Sequence, residues 1–114
     1  MYDITFRPQS NREDWVYIGE LVDATDDTPI DITGCTMVFQ VNDRQGWALL
    51  TATNANGKLT YIDINKFRWE FDQSEMRSLA PGTYNTGLTL TSEDGNEARQ
   101  ISVGPLPVVD GVVP

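Results

Sequence analysis

"FRWEFD", Phe67 to Asp72, alternates aromatic Phe67, Trp69 and Phe71 with charged Arg68, Glu70 and Asp72. Successive side chains of an extended chain point to opposite faces, so the stretch reads as a strand with one face in a core and the other in water. Aromatic residues suit such a half-buried pleated surface. Trp69, held between two phenylalanines, is expected in the core.

The same period of two recurs on either side. "KLTYIDI" (58–64) leads through Asn65 and Lys66 into this strand, and "CTMVFQVND" (35–43) groups Cys35, Met37, Phe39 and Val41 opposite Thr36 and Gln40. "DWVYIGELVD" (14–23) places Trp15, Tyr17 and Leu21 on one face and Val16, Ile18 and Val22 on the other, a pattern compatible with cover on both sides. "YDITFR" (2–7) alternates into Pro8, and "WALLTAT" (47–53) is a shorter, weaker strand. "GTYNTGLTLTS" (82–92) and "EARQISVGPLPVV" (97–109) read as a hairpin around "EDGN", with Tyr84, Thr86, Leu88 and Leu90 on one face and Arg99, Ile101 and Val103 in register. Gly104-Pro105 and Pro107 are expected to interrupt the last strand at an edge or a bulge, because proline cannot donate to a ladder.

Turn formers separate these runs in "NDRQG" (42–46), "NANG" (54–57) and "EDGN" (93–96). "DQSEMRSLAPG" predicts a short helical turn near 74–80, with Ser74 as N-cap and Pro81-Gly82 as the stop. Short strands at this spacing point to an all-β fold, an antiparallel immunoglobulin-like β-sandwich of about seven or eight strands. The expected organisation is a single domain over residues 1–114, with extended termini at 1–12 and 105–114.

Composition narrows the function. A chain of 114 residues buries roughly two-thirds of its unfolded surface, enough for an ordinary core. Seventeen acidic and eight basic residues give a net charge of −9, and the basic residues are scattered singly from Arg7 to Arg99. Phosphate binding needs clustered Lys and Arg, so nucleic acid is not an expected partner. No histidine is present, which removes Ser-His-Asp and Cys-His catalysis and the commonest zinc ligand. Cys35 is the only cysteine, so no internal disulfide can form; it reads either as a core thiol or as a reactive one. No segment approaches the roughly 20 apolar residues of a membrane span, so no membrane partner is expected. "MYDITFRPQS" is charged and strand-like rather than a signal peptide, which points to folding in a cytoplasm.

"DATDDTPIDITG" (23–34) carries Asp23, Asp26, Asp27 and Asp31, the candidate metal residues. Calcium takes six to eight oxygens at about 2.3–2.6 Å, with several carboxylates converging. The EF-hand alternation fails at Thr25, and no bidentate glutamate follows at the right distance. The competing reading is a turn, in which Asp26, Asp27 and Pro29 connect two strands and Asp31 folds back on its own backbone. Paired carboxylates are the chain's only acid–base resource, and a sandwich this small has little room for the cleft that glycoside hydrolysis needs. No catalytic residue, cofactor or small-molecule ligand is expected, and the chain is not expected to be an enzyme. In "RQGWALL", Trp47, Leu49 and Leu50 form either an exposed apolar patch that contacts a partner or a local turn staple.

Taken in order, "DW", "PIDITG", "CTMVFQVND", "LLTAT", "NGKLTYID", "KFRWEFD", "SEMRSLAPGTY" and "GLTLTSEDGNEARQISVG" carry a family likeness from about Trp15 to Val108. In this order the chain resembles the small β-sandwich domains of tailed-bacteriophage virions, especially the N-terminal domain of upper baseplate (receptor-binding-protein-anchoring) proteins. The resemblance implies a non-enzymatic structural subunit, made in the host cytoplasm and placed in the virion. It would act as an assembly or adaptor module of the tail or baseplate, contacting other virion structural proteins and copies of itself in a symmetric assembly. Family members often continue into a coil or fibre, whereas this chain stops at "VVDGVVP", which implies a free-standing adaptor, plug or decorating subunit. The expected contacts are Trp47, Leu49 and Leu50, the N-terminal "MYDITFRPQSN", and Val109, Val112 and Val113 of the C-terminal segment. The alternative is a carbohydrate- or cell-surface-binding module, with Trp47 and a tyrosine stacking on sugar and the aspartates holding calcium.

Overall fold

A computed structural model describes residues 2–23 and 25–109, excepting the side chains of Tyr2 and Asp3. Its elements are β1 (Tyr2–Asp3), β2 (Gln9–Ser10), β3 (Trp15–Glu20), β4 (Thr36–Asn42), β5 (Ala48–Thr53), β6 (Leu59–Asp63), β7 (Lys66–Phe71), α1 (Gln73–Met76), β8 (Gly82–Thr91) and β9 (Ala98–Val109). The larger sheet runs β1-β9-β8-β4-β5, with β2 also on β9, and the smaller runs β3-β7-β6. The two pack as an all-β, sandwich-like arrangement.

The core lies where the alternating faces meet. From β7 come Phe67, Trp69 and Phe71, and from β4 come Met37, Phe39 and Val41, all buried. Trp69 stacks on Phe39 of the opposite sheet with ring centroids 3.8 Å apart, and on its cross-strand neighbour Tyr17 at 4.5 Å. Phe6 enters from the side and meets Trp15, Tyr17, Phe39 and Trp69 edge-on. Such aromatic pairs add about 0.5–1.5 kcal/mol each beyond their buried area.

Several expectations change. Val16 and Ile18 are 44% and 58% exposed, so β3 is covered on one face only. The helical turn is capped by Asp72 rather than Ser74. The Asp72 carboxylate accepts the Glu75 N–H at 2.9 Å and Glu75 reaches back to the Asp72 N–H, a reciprocal capping box that Ser74 cannot form with Arg77. Ser74 Oγ instead donates to Asp72 Oδ1. Lys58 pairs with Glu75 beside this box.

The sheet is also not wholly antiparallel. Residues 2–11, expected as an arm open to a neighbour, run parallel along the chain's own β9: Ile4 N donates to Val103 O at 2.9 Å and Asn11 N to Val109 O at 3.1 Å. β9 continues through Pro105 and Pro107 without interruption. Both prolines direct their missing N–H away from β8 and toward the N-terminal segment, where Pro105 O accepts from Phe6 N at 3.2 Å. The N-terminal partner therefore loses ladder bonds there and forms two short strands instead of one. Gly104 permits the close approach: a Cβ at this position would lie 1.6 Å from Ile4 O.

A register shift at Leu88/Thr89 leaves Ile101 as the extra residue on β9, so Arg99, Ile101 and Val103 do not share one face. Ser102, Leu106 and Val108 face the core instead.

Candidate interaction surface

The β4–β5 connection is built from its own turn chemistry. Asp43 Oδ1 accepts the N–H groups of Gln45 and Trp47, both at 2.9 Å, and Gly46 takes φ 89°. Asp43 N donates to Trp47 O at 3.0 Å, closing the loop. Beyond it Asn42 pairs with Ala48 but Val41 with Leu50, so Leu49 is an extra, bulged residue. A bulge re-aims the side chains on either side of it.

Of the expected patch, Trp47 is therefore 70% exposed and Leu49 is exposed, while Leu50 turns into the core at 6% exposed. Leu50 is corrected from contact residue to core residue. Val109, at the end of β9, is exposed. Val112 and Val113 lie outside the described residues. The pairings Ala48–Asn42, Asn42–Asn85 and Asn85–Pro105 put the Trp47 loop and the far end of β9 at the same end of the large sheet. An open depression of about 360 Å³ lies at this end, lined by Asp43, Arg44 and Gln45 on one side and Pro81–Tyr84 on the other. Tyr84 is fixed there by its hydroxyl, which donates to Ala80 O at 2.6 Å.

The aspartates at 23–31 are turned onto the backbone around them. Asp23 Oδ1 accepts from Thr25 N at 2.8 Å, Asp26 Oδ1 from Thr28 N and Thr28 Oγ1, and Asp31 Oδ1 from Thr33 N at 2.8 Å. Asp27 takes the left-handed conformation at φ 58°, with its N–H on Asp23 O. The bonds from Thr28 and Thr33 hold the Asp26 and Asp31 carboxyls below the usual aspartate value. Among the described residues, no three Cys, Asp or Glu side chains are grouped to hold a metal ion, and no helix is long and apolar enough to cross a membrane.

Cys35 is partly buried just before β4, and its carbonyl accepts the Tyr61 hydroxyl at 2.7 Å. Burial raises the Tyr61 pKa. Exposed Val16, Ile18, Ile62 and Ile64 of the smaller sheet and its hairpin were not anticipated as surface. For Val16 and Ile18 the signal was present in the two-sided apolar pattern of 14–23, which looks the same whether the second face is covered by the chain or by something else.

Compared with known proteins, the chain matches no protein-family model, and no curated protein is significantly similar to it.

Proposed function

We propose that this chain is a non-enzymatic structural subunit of a bacteriophage virion, an immunoglobulin-like assembly or adaptor module of the tail or baseplate. The observation that carries the contact role is Trp47: a 70% exposed indole on a hydrogen-bonded loop, beside exposed Leu49 and an open depression. Exposed aromatic anchors of this kind are enriched at the centre of protein interfaces. The sequence likeness to phage tail and baseplate sandwiches supplies the setting. The partners are other virion proteins and further copies of the chain, and the mature location is the particle.

The test is immunolabelling of purified virions. Label at one site in multiple copies is the expected result; mature particles that contain none of the chain overturn the reading. The same exposed indole supports a second reading, in which Trp47 stacks on a sugar ring at a cell surface. Oligosaccharide binding that is lost in Trp47→Ala, by a chain absent from particles, would favour it.

A further inference from the structure

The two sheets have four outer edges, and three of them are interrupted. The edge strand β5 is bulged at Leu49, and β6 is bulged at Ile62 between Tyr61 and Asp63. The N-terminal edge is broken between β1 and β2 over residues that include Pro8. Such interruptions keep an edge from pairing with another chain. β3 is different. It makes six consecutive pairs with β7 and no register shift, and it contains neither proline nor lysine. Among the described residues, no backbone hydrogen bond joins Trp15–Glu20 to any segment other than β7. Its outward side chains include Val16 and Ile18, both exposed.

Two cavities open along the inner side of this same edge. One, of about 370 Å³, lies between Tyr17, Gly19 and Leu21 on the β3 side and Ile4, Leu88 and Ile101 opposite. Trp69 also lines it, and its buried indole Nε1 has no hydrogen-bond partner among the described residues. The other, of about 270 Å³, lies between Trp15–Tyr17 and the N-terminal segment. Tyr17 borders both. An unpaired strand edge with apolar pockets beside it matches what strand addition uses: main-chain hydrogen bonds for affinity and pockets for alternate side chains.

Charge selects the occupant. β3 ends on exposed Glu20, opposite Lys66, and is followed by exposed Asp23, Asp26 and Asp27. At the near end Glu13 and Asp14 are balanced by Arg7 and Arg12. A second copy gains nothing here. Parallel β3–β3 pairing sets acid against acid, antiparallel pairing sets acid against a neutral end, and each copy carries −9 overall. We propose that the β3 edge accepts an extended segment of a different protein, apolar at alternate positions and carrying Lys or Arg at the end that lies beside Glu20, Asp23, Asp26 and Asp27. This rests on the assembly reading above only in taking the partner to be a protein.

The test uses the full chain and two synthetic peptides of alternating valine and threonine, with lysines at the N-terminal end of one and at the C-terminal end of the other. The expected result is saturable binding of one of them, weakened by salt, with new amide-exchange protection in β3. Ile18→Lys, on an exposed position, is expected to keep the wild-type Tm and to weaken binding about tenfold or more through like-charge contact. Ile62→Lys, on the β6 edge and also exposed, is expected to leave binding unchanged. Binding of neither peptide, protection confined to β5 or the N-terminal segment, or equal binding of a glutamate-ended peptide would each overturn the proposal. Those failures leave the virion reading standing, whereas absence of the chain from particles overturns the virion reading and leaves the edge untouched.

Discussion

Trp69 and Trp47 are the same residue type, one inside strand β7 and the other just before strand β5, yet one is 1% exposed and the other 70%. Trp69 has a partner across the sandwich, Phe39 at 3.8 Å, and a neighbour in its own sheet, Tyr17. Trp47 has a loop that ties down its backbone through Asp43 and leaves its side chain in water. Local patterning reads both positions as strand, but only Trp69 lies within one. Burial was decided by whether a second sheet stood opposite, and the bulge at Leu49 moved β5 out of step with the pattern just as it left the loop.

Deleting each ring separates the two tryptophans most clearly. Trp69→Ala should cost about 3–5 kcal/mol of stability, measured by denaturant unfolding, because the stacked site cannot collapse onto itself. If the loss is no larger than that of a surface change, Trp69 does not anchor the core. Gly104→Ala comes next. The added Cβ meets Ile4 O, so the N-terminal segment must shift and Phe6 must loosen, at about 1–3 kcal/mol. Faster exchange of the Ile4 and Phe6 amides would locate the damage; unchanged exchange would contradict the close approach.

Acid gives a smaller effect. The Asp26, Asp31, Asp72 and Asp94 carboxyls are held below the ordinary value of 3.8 by hydrogen bonds from Thr28, Thr33, Ser74 and Ser92 respectively, with backbone N–H groups adding to each. Their contribution is therefore complete above 3.8 and is lost as pH falls below it, through the lower folded values. All four are fully exposed, so the Tm decline in this range should be modest, and part of it should disappear in Asp72→Ala, which lacks the helix cap. A Tm that rises on acidification below 3.8 would refute these assignments.

The smallest stability effect belongs to Trp47→Ala, within about 0.5 kcal/mol, as for most surface changes. Its effect should appear elsewhere. Acrylamide should quench Trp47 fluorescence readily and the remaining emission poorly, and assembly into particles should fall in the variant. A large drop in Tm would mean that Trp47 staples its own loop.

Much of the architecture was legible from residues alone. β4, β6, β7 and the β8–β9 hairpin fall close to where period-two patterning and Asn/Asp/Gly turns place them, and Asp31 folds back on its own backbone through Thr33. The errors share one cause. Leu50 as a contact, Ile101 with Val103 on one face, the break at Pro105 and the open N-terminal arm each required knowing which strand lies alongside. At the helical turn the competition was local: an Asp–Glu pair three residues apart outbid Ser74 for the cap.

Where the chain extends and where it turns follows from side-chain alternation and turn chemistry, which act over a few neighbouring residues. Tertiary structure alone decided that the N-terminal segment completes its own sheet, that Trp47 stays in water, and that β3, among the described residues, pairs on one side only. Those outcomes depend on hydrogen bonds and packing between segments far apart in the chain, and no local pattern encodes which partner arrives.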